Sequence, residues 1–185
     1  MALTPSKMIP LGTKAPDFNL PDAVSGKKMS LAQLKSNKAT VIMFICNHCP
    51  FVQHIQEKLV EVAKEYQAKG IQFIAINSND IENYPEDSPE KMKITAEEFD
   101  YPFPYLFDES QEIAKAYQAE CTPDFYVFDK NLACVYRGRF DSATPGRDTP
   151  VTGEDLRSTL DNILAGNLVD PNQQPSQGCN IKWKK

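Results

Sequence analysis

The chain has 185 residues, 41% of them hydrophobic, with a net charge of −5 and a pI near 5.1. That is enough for one domain with a real core and short for two. The acidic balance, with Lys184–Lys185 as the longest basic run, excludes the electrostatic footprint of a nucleic-acid binder.

The N-terminus carries no seven-residue apolar stretch and is broken by Pro5 and Pro10, so it does not read as a secretory signal. No segment approaches the roughly 20 apolar residues of a bilayer span. The expectation is a cytoplasmic protein with neither nucleic acid nor membrane as a partner. Five cysteines are too few for a disulfide scaffold.

Taken in chain order, the first 38 residues are rich in Pro, Gly and Lys. They hold two short strands, Asp17 to Leu20 and Lys27 to Ser30, around the turn Ser25–Gly26, which predicts a small hairpin laid against the domain. Ala39 to Cys46 is a continuous apolar run rich in β-branched residues, expected to be a central strand covered on both faces. Val52, Ile55, Leu59, Val62, Ala63 and Tyr66 recur at helical spacing and Gly70 supplies a stop, so Val52 to Lys69 reads as an amphipathic helix.

Ile71 to Ile76 is a second strand, followed by a Pro-interrupted loop and a helix from Pro89 to Phe99. Tyr105 to Phe107 reads as a short strand and Ser110 to Tyr117 as a short helix. Phe125 to Phe128 and Ala133 to Arg137 form a hairpin across Asp129–Lys130–Asn131. A last helix spans Gly153 to Leu164 with Thr152 as N-cap, before a tail from Asn167 to Lys185 that regains apolar character at Ile181 and Trp183. This order describes an α/β sandwich with a mixed central sheet.

The chemistry concentrates at Cys46–Asn47–His48–Cys49, where the central strand runs into the first long helix. Two thiols at that spacing come within disulfide reach, and the helix is expected to aim its unpaired N–H groups and positive end at the first sulfur. A Cys-x-x-Cys is also half of a zinc site. Here zinc would have to be held by Cys46, His48 and Cys49 with Cys121 or Cys179, and no second Cys-x-x-Cys is present. The expectation is no metal and no cofactor.

The strand–Cys46-x-x-Cys49–helix junction, the opening Lys14–Ala–Pro–Asp–Phe–Asn–Leu20 and the segment Thr122–Pro123–Asp124–Phe125 together resemble the thioredoxin superfamily, in its redoxin branch (AhpC/TSA and TlpA-like). The string Cys-Asn-His-Cys-Pro-Phe-Val looks like a bacterial subgroup of it. The resemblance covers residues 12–166. It implies a thioredoxin-like three-layer sandwich carrying an N-terminal hairpin extension, an N-terminal arm at 1–11, and a C-terminal tail at 167–185 that docks on the domain.

It also implies a thiol–disulfide oxidoreductase. Cys46, exposed, would attack a substrate disulfide; Cys49, more buried, would displace the product; and Pro123 would be a cis proline beside the pair. His48, by position, would lower the Cys46 pKa as an imidazolium. Partners would be a protein or small-molecule disulfide and a reductant, with the chain a monomer or weak homodimer.

Two positions depart from thioredoxin: Ile45 replaces the Trp before the first cysteine, and Thr40 the buried acid six residues before it. Pro50 removes an N–H from the first helical turn, so either the Cys46 carbonyl stays free or the helix starts late. A peroxidase is the alternative within the branch. It would need Pro seven and Thr or Ser three residues before its cysteine, where this chain has Ala39 and Met43 before Cys46, and Ile42 and Cys46 before Cys49. Arg137 or Arg139 could still support a thiolate, with an exposed strand-end role the plainer reading. A zinc-binding or redox-inactive adaptor is the alternative outside it.

Cys121 and Cys179 are the auxiliary redox candidates, as a Cys121–Cys179 bridge or with Cys179 in a resolving role, whereas Cys134 reads as core. Phe51, Phe103, Tyr105, Phe125 and Tyr126 are candidates for an apolar collar, with core packing as the ordinary role of such residues.

Overall fold

The computed structural model describes residues 3–185, so Met1 and Ala2 of the expected arm lie outside the described residues. In chain order the elements are β1 (Leu3–Pro5), β2 (Asn19–Pro21), β3 (Lys28–Ser30), α1 (Leu31–Leu34), β4 (Ala39–Phe44), α2 (Pro50–Gln67), β5 (Gln72–Asn77), a 3-10 turn (Pro85–Asp87), α3 (Pro89–Glu98), β6 (Tyr105–Phe107), α4 (Glu112–Ala116), β7 (Cys121–Thr122), β8 (Asp124–Asp129), β9 (Cys134–Gly138), α5 (Glu154–Leu164) and β10 (Gln177–Asn180).

All six residues of β4 are buried because helices cover both faces of the sheet they centre. The sheet order is β6-β5-β4-β8-β9. β4 pairs in parallel with β5 and antiparallel with β8, whose hairpin partner is β9. Alternate residues feed two cores. Val41 and Met43 join Val52, Leu59 and Tyr66 of α2 and Leu156 and Leu160 of α5 on one face. Ile42 and Phe44 join Phe18, Leu31, Ala114, Tyr117 and Tyr126 on the other. The result is the three-layer α/β sandwich expected, with the β2–β3 hairpin beside it. No helix among the described residues is long and apolar enough to cross a membrane.

Two helix starts differ from expectation. Helix α2 begins at Pro50 with Cys49 as its N-cap, because proline fits the first helical position, where its missing N–H costs no bond. The helix therefore starts late relative to Cys46. Helix α5 is capped by Gly153 at φ +71° rather than by Thr152. Asp141 takes both the Thr152 and Gly153 N–H groups at 2.8 and 2.7 Å, and a Cβ on Gly153 would sit 2.7 Å from the Phe140 ring.

The tail docks by forming a strand. β10 lies between β1 and β7 in a separate three-stranded antiparallel sheet. Past it, Ile181 is buried in the second core, and the Lys182 N–H and C=O bond Asn79 Oδ1 and the Asp80 N–H. β10 can approach β7 this closely only because residue 178 is glycine: a Cβ there would lie 1.9 Å from the Thr122 carbonyl oxygen. Gly178→Ala is therefore expected to lift the tail, at a cost of about 2 kcal/mol, as for an overpacked core position. In a thermal melt this reads as a Tm lower by about 4–8 °C.

Candidate active site

The five cysteines, all among the described residues, are free and buried. Cys46 lies in the loop after β4 and Cys49 caps α2. Cys46 is only 2% exposed and Cys49 is fully buried, so the expected exposed first cysteine is not found. Thr122 covers both: its hydroxyl lies 3.6 Å from Cys46 Sγ and its carbonyl oxygen 3.3 Å from Cys49 Sγ. The Thr122–Pro123 peptide bond is cis, as the resemblance implied for Pro123.

The third sulfur at the site is Cys179, whose Sγ is 2.8 Å from Cys49 Sγ. The expected Cys121–Cys179 bridge is not formed, and strand geometry gives the reason. Cys179 stands opposite Thr122 in the β10–β7 register and Cys121 stands opposite Asn180. Directly paired residues point to the same side and consecutive ones to opposite sides. Cys179 thus shares the Thr122 side with the active pair, and Cys121 points away, its thiol near the Pro123 carbonyl at 4.0 Å. Cys134 is core, as read.

The two thiols of the pair shift in opposite directions. Hydrogen bonds with Cys179 and then Cys46 hold the Cys49 thiol well below its ordinary value, helped by the Val52 N–H in the first turn of α2. Cys46 is raised, first by its thiol hydrogen bond to Cys49, then by burial and by the Asp87 carboxylate. Cys179 is raised by its bond to Cys49 and by burial. The positive end of α2 faces the residue that caps it, which explains the reversal of the expected order.

His48 is also redirected. Its Nδ1 lies 2.5 Å from Asp87 Oδ2, so the imidazolium is neutralised by a carboxylate instead of acting on Cys46 alone. Asp87, fully buried, is the residue at the site that the sequence reading missed. It accepts the Asn47 N–H at 2.8 Å and the His48 N–H at 3.3 Å on one oxygen, and the Asn79 amide at 2.8 Å on the other. It is a buried acid on the His48 side of the pair, 47 residues further along the chain than Thr40.

Its only signal was an acid followed by the Ser88–Pro89 helix start, among several other acids. Cys46, His48 and Asp87 offer three metal-ligand atoms within 4.8 Å of one another. Among the described residues neither Cys49, Cys121 nor Cys179 belongs to that group, so the zinc set weighed as a rival reading, Cys46, His48 and Cys49 with Cys121 or Cys179, is not brought together, and the His48–Asp87 contact is that of an ion pair.

Arg137 is not the exposed strand-end residue expected. It is fully buried, bonds Asp124 at 2.9 Å, and stacks its guanidinium 4.6 Å over Tyr126. Tyr126 belongs to the core on the face opposite the cysteine pair, so Arg137 is turned away from the thiols. Arg139 is held by Asp155 at 2.6 Å.

Of the aromatic candidates, Phe103, Tyr105, Phe125 and Tyr126 are core; Tyr105 also donates to Asn47 Oδ1 at 2.8 Å. Phe51 alone lines a surface groove of about 270 Å³, together with Pro123, Ile55, Phe140, Arg139 and Gln177.

The His48 pKa is raised by Asp87 against the opposing effect of burial. A raised folded-state pKa stabilises the fold fully below the ordinary imidazole value of about 6.5, and the stabilisation is lost as pH climbs through the raised value. Asp87→Asn is expected to return His48 to or below the ordinary value by NMR titration and to remove the His48 share of this pH dependence in thermal melts. It should destabilise by about 2 kcal/mol, since a charged hydrogen-bond acceptor is lost.

Comparison with known proteins bears on this site. The chain superposes on the crystal structure of an uncharacterized conserved protein from Geobacillus kaustophilus with a TM-score of 0.98 and 58% identity, covering 100% of this chain and 97% of that one. It is 26% identical over 160 residues to thiol-disulfide oxidoreductase ResA of Geobacillus thermodenitrificans, covering 86% of this chain and 82% of the relative. A putative thioredoxin from Neisseria meningitidis, at 23% identity, shares the fold with a TM-score of 0.62, covering 83% of this chain and 91% of that one. Residues 11–137 match the AhpC/TSA family, and that match, spanning the β2–β3 hairpin, the cysteine pair and Pro123, makes the chain a member of it.

Proposed function

We propose that the chain is a thiol–disulfide oxidoreductase that cycles Cys46 and Cys49 between dithiol and disulfide. One observation carries the reading: two thiols at the N-terminus of α2, both covered by Thr122 and next to the cis peptide bond of Pro123. The relative named thiol-disulfide oxidoreductase ResA supports it over most of the chain.

The neighbouring thiols pull the Cys49 pKa down and push that of Cys46 up, which makes Cys49 the proton acceptor of the pair. Cys49 is hemmed in by Cys179 and the Thr122 carbonyl, so the attacking sulfur is Cys46, whose proton passes to Cys49 along their shared bond. Cys46 then attacks a substrate disulfide. One substrate sulfur leaves as a thiolate and the other stays in a mixed disulfide with Cys46. Cys49 gives up its proton to the first substrate thiolate and attacks Cys46 Sγ, which releases the second substrate thiolate and leaves the Cys46–Cys49 disulfide. Two electrons have moved from the protein to the substrate, and a dithiol reductant restores the pair.

A peroxidase is the weaker reading. Ala39, Ile42 and Met43 stand at its required positions inside the buried strand β4, where they offer no side-chain donor to a peroxide. Both arginines are committed to carboxylates.

Insulin-disulfide reduction with dithiothreitol tests the proposal. Wild type is expected to exceed the dithiothreitol background, and Cys46→Ser to fall to it. Cys49→Ser is expected to accumulate a substrate adduct on Cys46, seen by mass spectrometry. Wild type at background would reject the enzyme in favour of a redox-inactive adaptor, and peroxide consumption faster than that of a free thiol would restore the peroxidase.

A further inference from the structure

We propose that Cys179 is a third redox cysteine, which displaces Cys46 from Cys49 so that the oxidised chain holds its disulfide between α2 and the tail strand. The inference rests on the thiol–disulfide reading above and adds a step to it. Cys179 Sγ is 2.8 Å from Cys49 Sγ, and the side chain is 3% exposed. Its position is fixed from both sides: Cys179 pairs with Leu3 of β1 and with Thr122 of β7. Gly178 lets the strand approach the Thr122 carbonyl, and the parity of the β10–β7 register turns Cys179, and not Cys121, toward the pair. The tail thus presents its own cysteine, on a strand hydrogen-bonded next to Pro123, as a tethered internal reactant.

The step balances without an added oxidant. Once a substrate disulfide has converted the pair to the Cys46–Cys49 disulfide, the Cys179 thiol loses its proton and its sulfur attacks Cys49 Sγ. The Cys49–Cys179 bond forms, the Cys46–Cys49 bond breaks, and Cys46 leaves as a thiolate that takes up the proton. The chain remains oxidised by two electrons throughout. Two consequences follow: the tail becomes covalently clamped to α2, and Cys46 regains a free thiol.

The test oxidises the full chain with diamide, quenches with acid, alkylates free thiols with N-ethylmaleimide and maps tryptic peptides by tandem mass spectrometry. Residues 39–58 carry Cys46 and Cys49, and residues 158–182 carry Cys179, so the two arrangements give different products. Expected is a cross-linked pair of these peptides, joined through Cys49 with Cys46 alkylated, outnumbering the internal Cys46–Cys49 form. The same link should form in Cys46→Ser. An internal Cys46–Cys49 disulfide with Cys179 fully alkylated would overturn the third cysteine and leave the oxidoreductase reading standing. Alkylation of all five cysteines after oxidation would overturn both.

Discussion

The antiparallel pairing of β10 with β7 is the contact on which the site depends. β7 is only two residues long, Cys121–Thr122, and it precedes the proline that flanks the cysteine pair. A strand this short has little stability of its own. It is held on its free edge by β10, which is in turn held by β1, so residues from the two ends of the chain meet at one edge. Thr122 then offers both of its oxygens to the two thiols. Because the carbonyl of this same residue is what a side chain at position 178 would strike, the fit of the tail and the positioning of Thr122 are a single constraint.

Asp87 organises the other side. A buried carboxylate is tolerated only when its lone pairs are met, and here two backbone N–H groups, one amide and one imidazole meet them. Asn79 extends the arrangement: its Nδ2 bonds Asp87 while its Oδ1 accepts the Lys182 N–H of the tail. The tail is thereby joined to the cysteine loop by two routes, sulfur to sulfur at Cys179 and through amide and carboxylate at Asn79. An imidazolium that would otherwise favour a Cys46 thiolate is matched by an anion that opposes one.

What the sequence made legible was local. The apolar run at β4, the 3.6-residue stripe of α2 and the hairpin of β8 and β9 declare themselves by period, and each forms within about two residues of where the pattern puts it. Cys46, Cys49 and Pro123 are legible by motif. What stayed hidden was long-range pairing. The segment Gln177–Asn180 has no strand periodicity of its own and becomes one only because β1 and β7 offer edges. The partner of Cys179 followed from the parity of that register, and Asp87 from a loop packing back on the site; neither is written in neighbouring residues. The burial of Arg137 is of the same kind: the alternating strand shows a charge, and the Asp124 carboxylate, the Gln118 carbonyl and the Tyr126 ring explain its place inside.

The late start of α2 has the furthest reach. Placing Pro50 at the first helical position makes Cys49 the cap, so the helix terminus and two neighbouring thiols all favour charge on the second cysteine. The first cysteine is left neutral and nearly covered, in contrast to an arrangement in which it caps the helix and stands ready as an anion. A site built this way pulls the pKa of Cys49 down and pushes those of Cys46 and Cys179 up. Cys49 meets Cys179 at 2.8 Å and follows Cys46 by three residues, so the choice of its disulfide partner turns on whether the loop or the tail strand brings its sulfur closer.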